Sequence, residues 1–414
     1  MARIDTCRSC DQGELQAVLN LGSTPLADRF PSRQQLTEPE PRFPLELVFC
    51  GGCSLLQITE TVAPEVLFCD AYPYYSSISP QLLRHARDNA LELIEARGLD
   101  SDSLVVELAS NDGYLLRNYL EQGIKVLGID PARGPAQAAA ELGVNTLPTF
   151  FSRELAEDLA ARGTRADVIH ANNVLAHVAD LNGFVSGIAS VLDQAGVAVM
   201  EVPYAQTLIE HCEFDTIYHE HLCYFSATAL DRLFRRHQLY INDIRELTIH
   251  GGSLRLYIEK NDRQSAAVQQ LLTQEARDWA YKIEHYRDFA QRSDLLGNAL
   301  LTLLRKLRGE GKRIAAYGAA AKGSTLLNSL GIGPDLVDYV VDRSHHKQGL
   351  HMPGQHQPIY PPDKLLESPP DYLLLLAWNF ADEIRTQQHA YEAGGGRFIV
   401  PVPYPRILEP LSRA

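Results

Sequence analysis

The sequence predicts an α/β fold in three parts: a small, metal-stapled N-terminal domain, a central doubly wound domain, and a smaller Rossmann-like domain toward the C-terminus. Three observations predict it. Two Cys-x-x-Cys pairs, Cys7/Cys10 and Cys50/Cys53, lie in a Pro- and Gly-rich opening stretch too short for a generous apolar core. From residue 104 to 202, apolar strands alternate with helical stretches, the pattern of a parallel sheet covered on both faces. The same alternation returns in miniature from residue 313 to 401. The expected domains are 1–65, 66–262 and 263–414, the last beginning with a helical linker.

Bulk composition narrows the class. A chain of 414 residues that is 45% hydrophobic can build two or three cores. A net charge of -14 argues against nucleic acid as a partner. No apolar run approaches the ~20 residues of a membrane span, and the polar start does not read as a signal peptide. Seven cysteines without an export signal imply a reducing cytoplasm. Cys69, Cys212 and Cys223, outside the two pairs, read as small buried apolar residues. The sequence does not fix the oligomeric state, and a monomer is compatible with it.

The elements follow in order. Residues 43–49 and 55–58 read as strands around the second knuckle. Residues 79–96 read as a helix, with Leu82, Leu83, Ala86, Ala90, Leu93 and Ile94 on one stripe. Strands are expected at 104–109, 126–130, 166–171 and 197–202, with helices at 114–122 and 132–142. Residues 254–259 read as a half-exposed strand, and 265–308 as a long helical region broken near Ser293. The last domain should hold strands at 313–318, 336–342, 373–378 and 397–401, and a helix at 322–330.

Each motif carries a chemistry. Two-residue spacing lets both sulfurs of a knuckle reach one ion, and four thiolates from Cys7, Cys10, Cys50 and Cys53 satisfy a tetrahedral zinc with no open position. That site is structural; two redox or disulfide pairs are the rival. In the central domain the run 107–113 (Glu-Leu-Ala-Ser-Asn-Asp-Gly) follows an apolar strand, and Asp130 ends the next one, placed to accept from two ribose hydroxyls. An acid there suits NAD and S-adenosylmethionine alike. The lack of a Gly-x-Gly-x-x-Gly loop favours S-adenosylmethionine over a diphosphate, and an ordinary turn is the bland alternative. Asn172 and Asn173 follow the next strand and can line the cofactor, while His177 can reach a substrate or cap a helix.

The run Tyr218-His219-Glu220-His221 concentrates titratable groups. On a strand, His219 and His221 share a face and suit a metal; on a helical turn, Tyr218 and His221 share it instead. Methyl transfer to a carbon beside a ketone needs a base near neutral pKa and donors for an enolate oxygen, roles that histidine and tyrosine fill. A second polar-aromatic patch spans 70–77, with interlobe packing as its plain reading. Backbone amides after 313–318, with Lys322, can hold a diphosphate, or the small residues there serve packing.

Taken in order, the paired Cys-x-x-Cys motifs, Tyr-Pro-Tyr-Tyr-Ser-Ser, Glu-x-Ala-x-Asn-Asp-Gly, Asn-Asn-Val-Leu-Ala-His-Val, Tyr-His-Glu-His-Leu-x-Tyr-Phe-Ser and Tyr-Gly-Ala-Ala-Ala-Lys-Gly closely resemble the sugar C-methyltransferases that act on nucleotide-linked 4-keto-deoxyhexoses in bacterial natural-product pathways. The resemblance covers nearly the whole chain. It implies an N-terminal zinc-binding domain, a central doubly wound SAM-methyltransferase (Rossmann-like) domain, and a C-terminal Rossmann-like domain that helps hold the nucleotide sugar. It implies methylation at C-3 beside the C-4 ketone, in deoxysugar and antibiotic biosynthesis, with a thymidine diphosphate carrier as the usual choice. It carries over His221 as the base with Tyr218 as partner or alternative, and Glu220, His177 and the lid-side Tyr72 as further catalytic groups. Glu107, Asn111, Gly113, Asp130 and Asn172 match cofactor-binding positions; Tyr74, Lys322 and Ser324 are assigned to the substrate. Two other readings stay open: a metal-dependent enzyme acting on a nucleotide sugar with His219 and His221 as ligands, and a non-catalytic zinc adaptor.

Overall fold

The structure, a computed structural model, describes residues 2–68 and 75–409. A seven-stranded sheet forms the centre, in the order Tyr240–Leu247, Ser253–Glu259, Leu192–Pro203, Ala166–Asn172, Leu104–Leu108, Lys125–Ile129, Thr146–Leu147. The last five strands in that order are parallel, and Ser253–Glu259 runs antiparallel to both its neighbours. The chain steps outward from Leu104–Leu108 to one side, then returns to Ala166–Asn172 on the other. That reversal opens a crevice at the carboxyl ends of these two strands, where doubly wound sheets bind ligands.

The helix Pro80–Arg97 covers one face of this sheet and shows why the sequence folds there as it does. Ser79 caps it by accepting from the Leu82 amide at 3.3 Å, Pro80 occupies its first turn, and Gly98 ends it at φ 61°. Its stripe of Leu82, Ala86, Ala90 and Leu93 packs onto Val105, Val168 and Val199. Truncating such a buried leucine to alanine typically costs about 2–5 kcal/mol.

The C-terminal domain repeats the design with six strands: Ile359–Tyr360, Val340–Val341, Ile314–Tyr317, Tyr372–Leu375, Arg397–Val400 and an antiparallel edge, Arg406–Ile407. Its order reverses between Ile314–Tyr317 and Tyr372–Leu375. The N-terminal domain is a four-stranded sheet of Cys223–Tyr224, Leu56–Ile58, Phe43–Cys50 and Leu15–Thr24. Its edge strand, Cys223–Tyr224, comes from the segment just after the histidine-rich run, so the reactive region is stitched to the N-terminal sheet. One apolar cluster runs through all three domains, and Phe49 stacks on Tyr286 of the helix Ile283–Gly309 at 4.3 Å.

Several expectations need correcting. The strand Ser253–Glu259 is buried along its whole length, because it lies between two other strands rather than at an edge. The helical region divides at Trp279–Lys282, between Ala266–Asp278 and Ile283–Gly309. Ser293 does not break the second helix: its hydroxyl donates to the Phe289 carbonyl one turn back. The strand expected at 336–342 shrinks to Val340–Val341, and the helix at 114–122 to Leu116–Leu120. Cys212 and Cys223 are buried as expected; Cys69 lies outside the described residues. Among the described residues, no helix is long and apolar enough to cross a membrane.

Candidate active site

The four knuckle sulfurs converge. Cys7, Cys10, Cys50 and Cys53 place them within 4.8 Å of one another, with closest pairs at 3.5 Å and 3.4 Å. A tetrahedral ion with bonds near 2.3 Å requires sulfur separations of roughly 3.8 Å, so the set fits zinc. Hydrogen bonds from Cys50 and Cys53 hold the Cys7 thiol far below its usual range, while its bonds to Cys50 and Cys7 drive the Cys53 thiol up. Four sulfurs this close cannot all ionise without a cation among them. The Gln57 amide donates to Cys7 Sγ at 3.2 Å and orients that ligand. Among the described residues this is the one group of His, Cys, Asp and Glu able to hold an ion.

The crevice at the central switch point is lined with acids. Glu107, near the end of the strand Leu104–Leu108, is almost fully buried, and burial, then the charges of Asp130 and Asp112, push its carboxyl well above the carboxylate range. Asp130 is raised by burial too, opposed by two backbone donors: the amides of Asn111 and Ala132, each at 2.8 Å. The turn that carries Asn111 is left-handed at Ala109 (φ 54°), Asn111 (φ 48°) and Gly113 (φ 76°). A Cβ at Gly113 would meet Val144 at 3.1 Å and Ala139 at 3.3 Å, so glycine lets the turn lie against the helix Arg133–Glu141. Asn111 Oδ1 accepts from the Ser76 amide at 2.9 Å. Asn172 lies at the carboxyl end of the neighbouring strand.

Glu107 Oε2, Asp112 Oδ1 and Asn172 Oδ1 are buried without a hydrogen-bond partner. Buried acceptors and raised acids around one crevice are what a cationic ligand relieves. S-Adenosylmethionine carries an ammonium and a sulfonium, so the residues present fit that cofactor. Gly128 was not anticipated from the sequence: a Cβ there would stand 2.5 Å from Ser110 Oγ, so glycine lets the cofactor turn cross the second strand.

The histidine-rich run forms a turn, and the helical alternative holds: the His221 amide bonds the Tyr218 carbonyl, and the two side chains share a face. Tyr218 Oη lies 3.0 Å from His221 Nε2, with ring centroids 4.2 Å apart. His221 Nδ1 lies 3.1 Å from the carbonyl oxygen of Thr216. A carbonyl only accepts, so Nδ1 carries the proton and Nε2 presents its lone pair to the phenol. His177 stands beside this pair, its ring 4.9 Å from that of His221. Its Nδ1 donates to the Glu220 carbonyl at 2.6 Å, and burial lowers its pKa, keeping it neutral.

The other members of the run face elsewhere. His219 is buried, T-stacked on Phe43 and bonded through Nε2 to the Pro44 carbonyl at 3.0 Å. His219 and His221 therefore do not converge on one ion. Glu220 lies where the three domains meet; burial, then the charge of Asp28, raises its carboxyl well above the usual range against the pull of Lys347. Asp28 and Lys347, 4.0 Å apart, carried no recognisable motif in the sequence.

The C-terminal residues assigned to substrate are engaged with the protein. Lys322 Nζ bonds Asn379 Oδ1 at 2.9 Å and sits 4.5 Å over the Trp378 ring. The Ser324 hydroxyl donates to the Ala27 carbonyl at 2.7 Å. Facing Lys322 are two acids of the central domain, Glu213 and Asp215. Burial raises them to about 8 and about 6 respectively, with Lys322 opposing. Tyr72 and Tyr74 lie outside the described residues.

Comparison with known proteins identifies the relatives of this chain. Residues 7–68 match a family described as a zinc binding domain, 81–243 a methyltransferase domain, and 248–403 the C-methyltransferase C-terminal domain. The chain is 36% identical over 408 residues to the C-methyltransferase NovU of Streptomyces niveus, covering 98% of this chain and 97% of that one. It is 30% identical over 123 residues to the ubiquinone biosynthesis O-methyltransferase of Azorhizobium caulinodans, covering 29% of this chain and 46% of the relative. Among solved structures, a magnesium protoporphyrin IX methyltransferase from Synechocystis PCC 6803 aligns with 43% of this chain and 79% of its own, at 14% identity and a TM-score of 0.33.

Proposed function

The chain belongs to the C-methyltransferase family that includes NovU, and we propose that it methylates C-3 of a nucleotide-linked 4-keto-deoxyhexose in deoxysugar biosynthesis, thymidine diphosphate being the expected carrier. It is an S-adenosylmethionine-dependent methyltransferase with a zinc-binding domain. The sugar, its carrier and the carbon methylated are the proposal.

One observation carries it: a base and a hydroxyl donor stand 3.0 Å apart on one face, with the tautomer of the base set by the Thr216 carbonyl. A ketone and its adjacent carbon present an oxygen and an acidic C–H at a similar spacing. His221 Nε2 takes the C-3 proton, while the Tyr218 hydroxyl turns to the C-4 oxygen and holds the enolate charge. His177, neutral and adjacent with its proton on Nδ1, can accept through Nε2 from a sugar hydroxyl. S-Adenosylmethionine supplies the electrophilic methyl group. Glu107, Asn111, Asp130 and Asn172 hold and orient that cofactor at the switch point, and the zinc site fixes the sheet to which the catalytic turn is stitched.

The test is incubation with methyl-labelled S-adenosylmethionine and a panel of nucleotide-linked 4-keto sugars. A product whose new methyl is bonded to C-3 supports the proposal. A methyl found on oxygen, or transfer to sugars lacking the ketone, overturns it.

A further inference from the structure

The carboxyl ends of Ile314–Tyr317 and Tyr372–Leu375 mark the switch point of the C-terminal sheet, the place where such a sheet would bind a ligand of its own. Lys322 follows the first strand and Trp378 the second. What they meet there is Asp215 of the central domain. Trp378 Nε1 donates to Asp215 Oδ2 at 2.7 Å, across 163 residues of sequence. Asp215 is fully buried, and Lys322 Nζ sits 4.5 Å over the same indole.

Asp215 belongs to the single 3-10 turn Phe214–Thr216, which the helix Ala321–Leu330 packs against. The next residue, Thr216, provides the carbonyl that accepts from His221 Nδ1 at 3.1 Å, and the same oxygen takes the Tyr224 hydroxyl at 3.4 Å. An unbroken series of contacts thus runs from the C-terminal domain to the imidazole, through Trp378, Asp215 and Thr216.

We propose that Asp215 and Trp378 are positioning residues: the C-terminal domain, by clamping Asp215 with the Trp378 indole, fixes the Thr216 carbonyl that sets the tautomer and aim of His221. The inference rests on His221 as the base. It gives the C-terminal domain a part in the chemical step. A single turn of three residues has few ways to hold its carbonyl once the neighbouring carboxylate is released. The imidazole then samples the other tautomer, in which Nε2 bears the proton and has no lone pair for a C–H.

The test uses the full-length, zinc-loaded protein and the variants Trp378→Phe, Asp215→Ala and Asp215→Asn. The phenyl ring keeps the stack on Lys322 but lacks the N–H. The asparagine keeps an oxygen for the indole to bond. Trp378→Phe and Asp215→Ala should lower kcat about ten- to a hundredfold, the usual penalty when an orienting partner of a functional imidazole is lost. The KM for S-adenosylmethionine should stay within about twofold, and Asp215→Asn should recover most of kcat. In nitrogen-15 spectra of histidine-labelled protein, His221 should show protonated Nδ1 in the parent and a mixture of tautomers in the two damaging variants. Unchanged kcat and an unchanged tautomer, with only a lower Tm, would reduce the contact to packing and overturn the proposal. His221→Ala serves as the control: retained methyl transfer there would remove the base assignment itself, while the tautomer readout would still judge the clamp.

Discussion

His219 Nε2 lies 3.0 Å from the carbonyl oxygen of Pro44, whereas the imidazole two residues later bonds Tyr218 and Thr216. Two histidines separated by one residue therefore serve different domains. The turn at 218–221 sends the first into the N-terminal domain and the second into the catalytic crevice. The short edge strand Cys223–Tyr224 then fixes that division by pairing with Leu56 and Gln57.

Metal content follows from this division. The purified protein should carry one zinc per chain by elemental analysis, and Cys50→Ser should lose it, because three thiolates leave a tetrahedral site incomplete. His219→Ala should keep the zinc and lower stability by about 1 kcal/mol, the typical net worth of one buried hydrogen bond. A second ion that disappears with His219 or His221 would revive the metal-dependent reading.

Removing the base should stop the reaction without emptying the cofactor site. His221→Ala is expected to slow methyl transfer by about 10²–10⁴-fold, the usual contribution of a positioned general base. Binding of S-adenosylmethionine, followed calorimetrically, should be unchanged, because the cofactor-site acids come from the strand Leu104–Leu108 and the residue after Lys125–Ile129, away from the turn at 218–221. Tyr218→Phe should lose less, since Nε2 keeps its lone pair. Near-normal turnover in His221→Ala would end the proposed mechanism.

Cofactor binding should release protons. In the free protein burial and the neighbouring acids keep Glu107 protonated well above the ordinary carboxylate range. A cofactor ammonium bound beside it favours the ionised form, so affinity should rise as pH rises and level off above the Glu107 pKa of the free protein. Calorimetry in buffers of different ionisation enthalpy counts the protons directly. Glu107→Gln should bind more weakly and lose this pH dependence; a parent protein that binds equally across pH 6 to 8 would show that Glu107 is ionised beforehand.

Much of this site was legible because its chemistry is local. The knuckle cysteines, the acid ending each of two strands, and the Tyr218/His221 pair are all set by short-range spacing. The turn geometry that pairs Tyr218 with His221 is the i, i+3 alternative that the sequence itself offered. Asp28, Lys347, Trp378 and the Thr216 carbonyl were illegible because their roles exist only where domains meet, and a backbone carbonyl leaves no trace in residue identity. The long strand Leu15–Thr24 escaped for a related reason. Its burial is irregular, and its register with Phe43–Cys50 slips twice, so no clean period-two pattern is written in it. The exposure of Ser253–Glu259 was misjudged because alternation in a strand reports sidedness only when one face meets water.

The same interdomain burial should make the cofactor-free protein less stable as pH rises. Glu213 is held near 8 by burial, with Asp215 adding to the shift and Lys322 opposing it. Its other titratable neighbour is His211, whose Nδ1 lies 3.3 Å away. Below about pH 4.3, the ordinary glutamate value, the folded and unfolded chains both hold this proton and the group is neutral toward stability. Between there and pH 8 only the folded chain holds it, so stability is lost progressively as pH rises, at a rate of up to about 1.4 kcal/mol per pH unit for one proton. Asp215, raised to about 6, adds a slope of the same sign that ends earlier. Melting curves from pH 6 to 8.5 should therefore show a falling Tm, and Glu213→Gln, which keeps the shape and cannot ionise, should flatten the fall above pH 6.5. A variant with the parent's slope would mean that Glu213 ionises alike in the folded and unfolded chains, with Lys322 offsetting its burial in full.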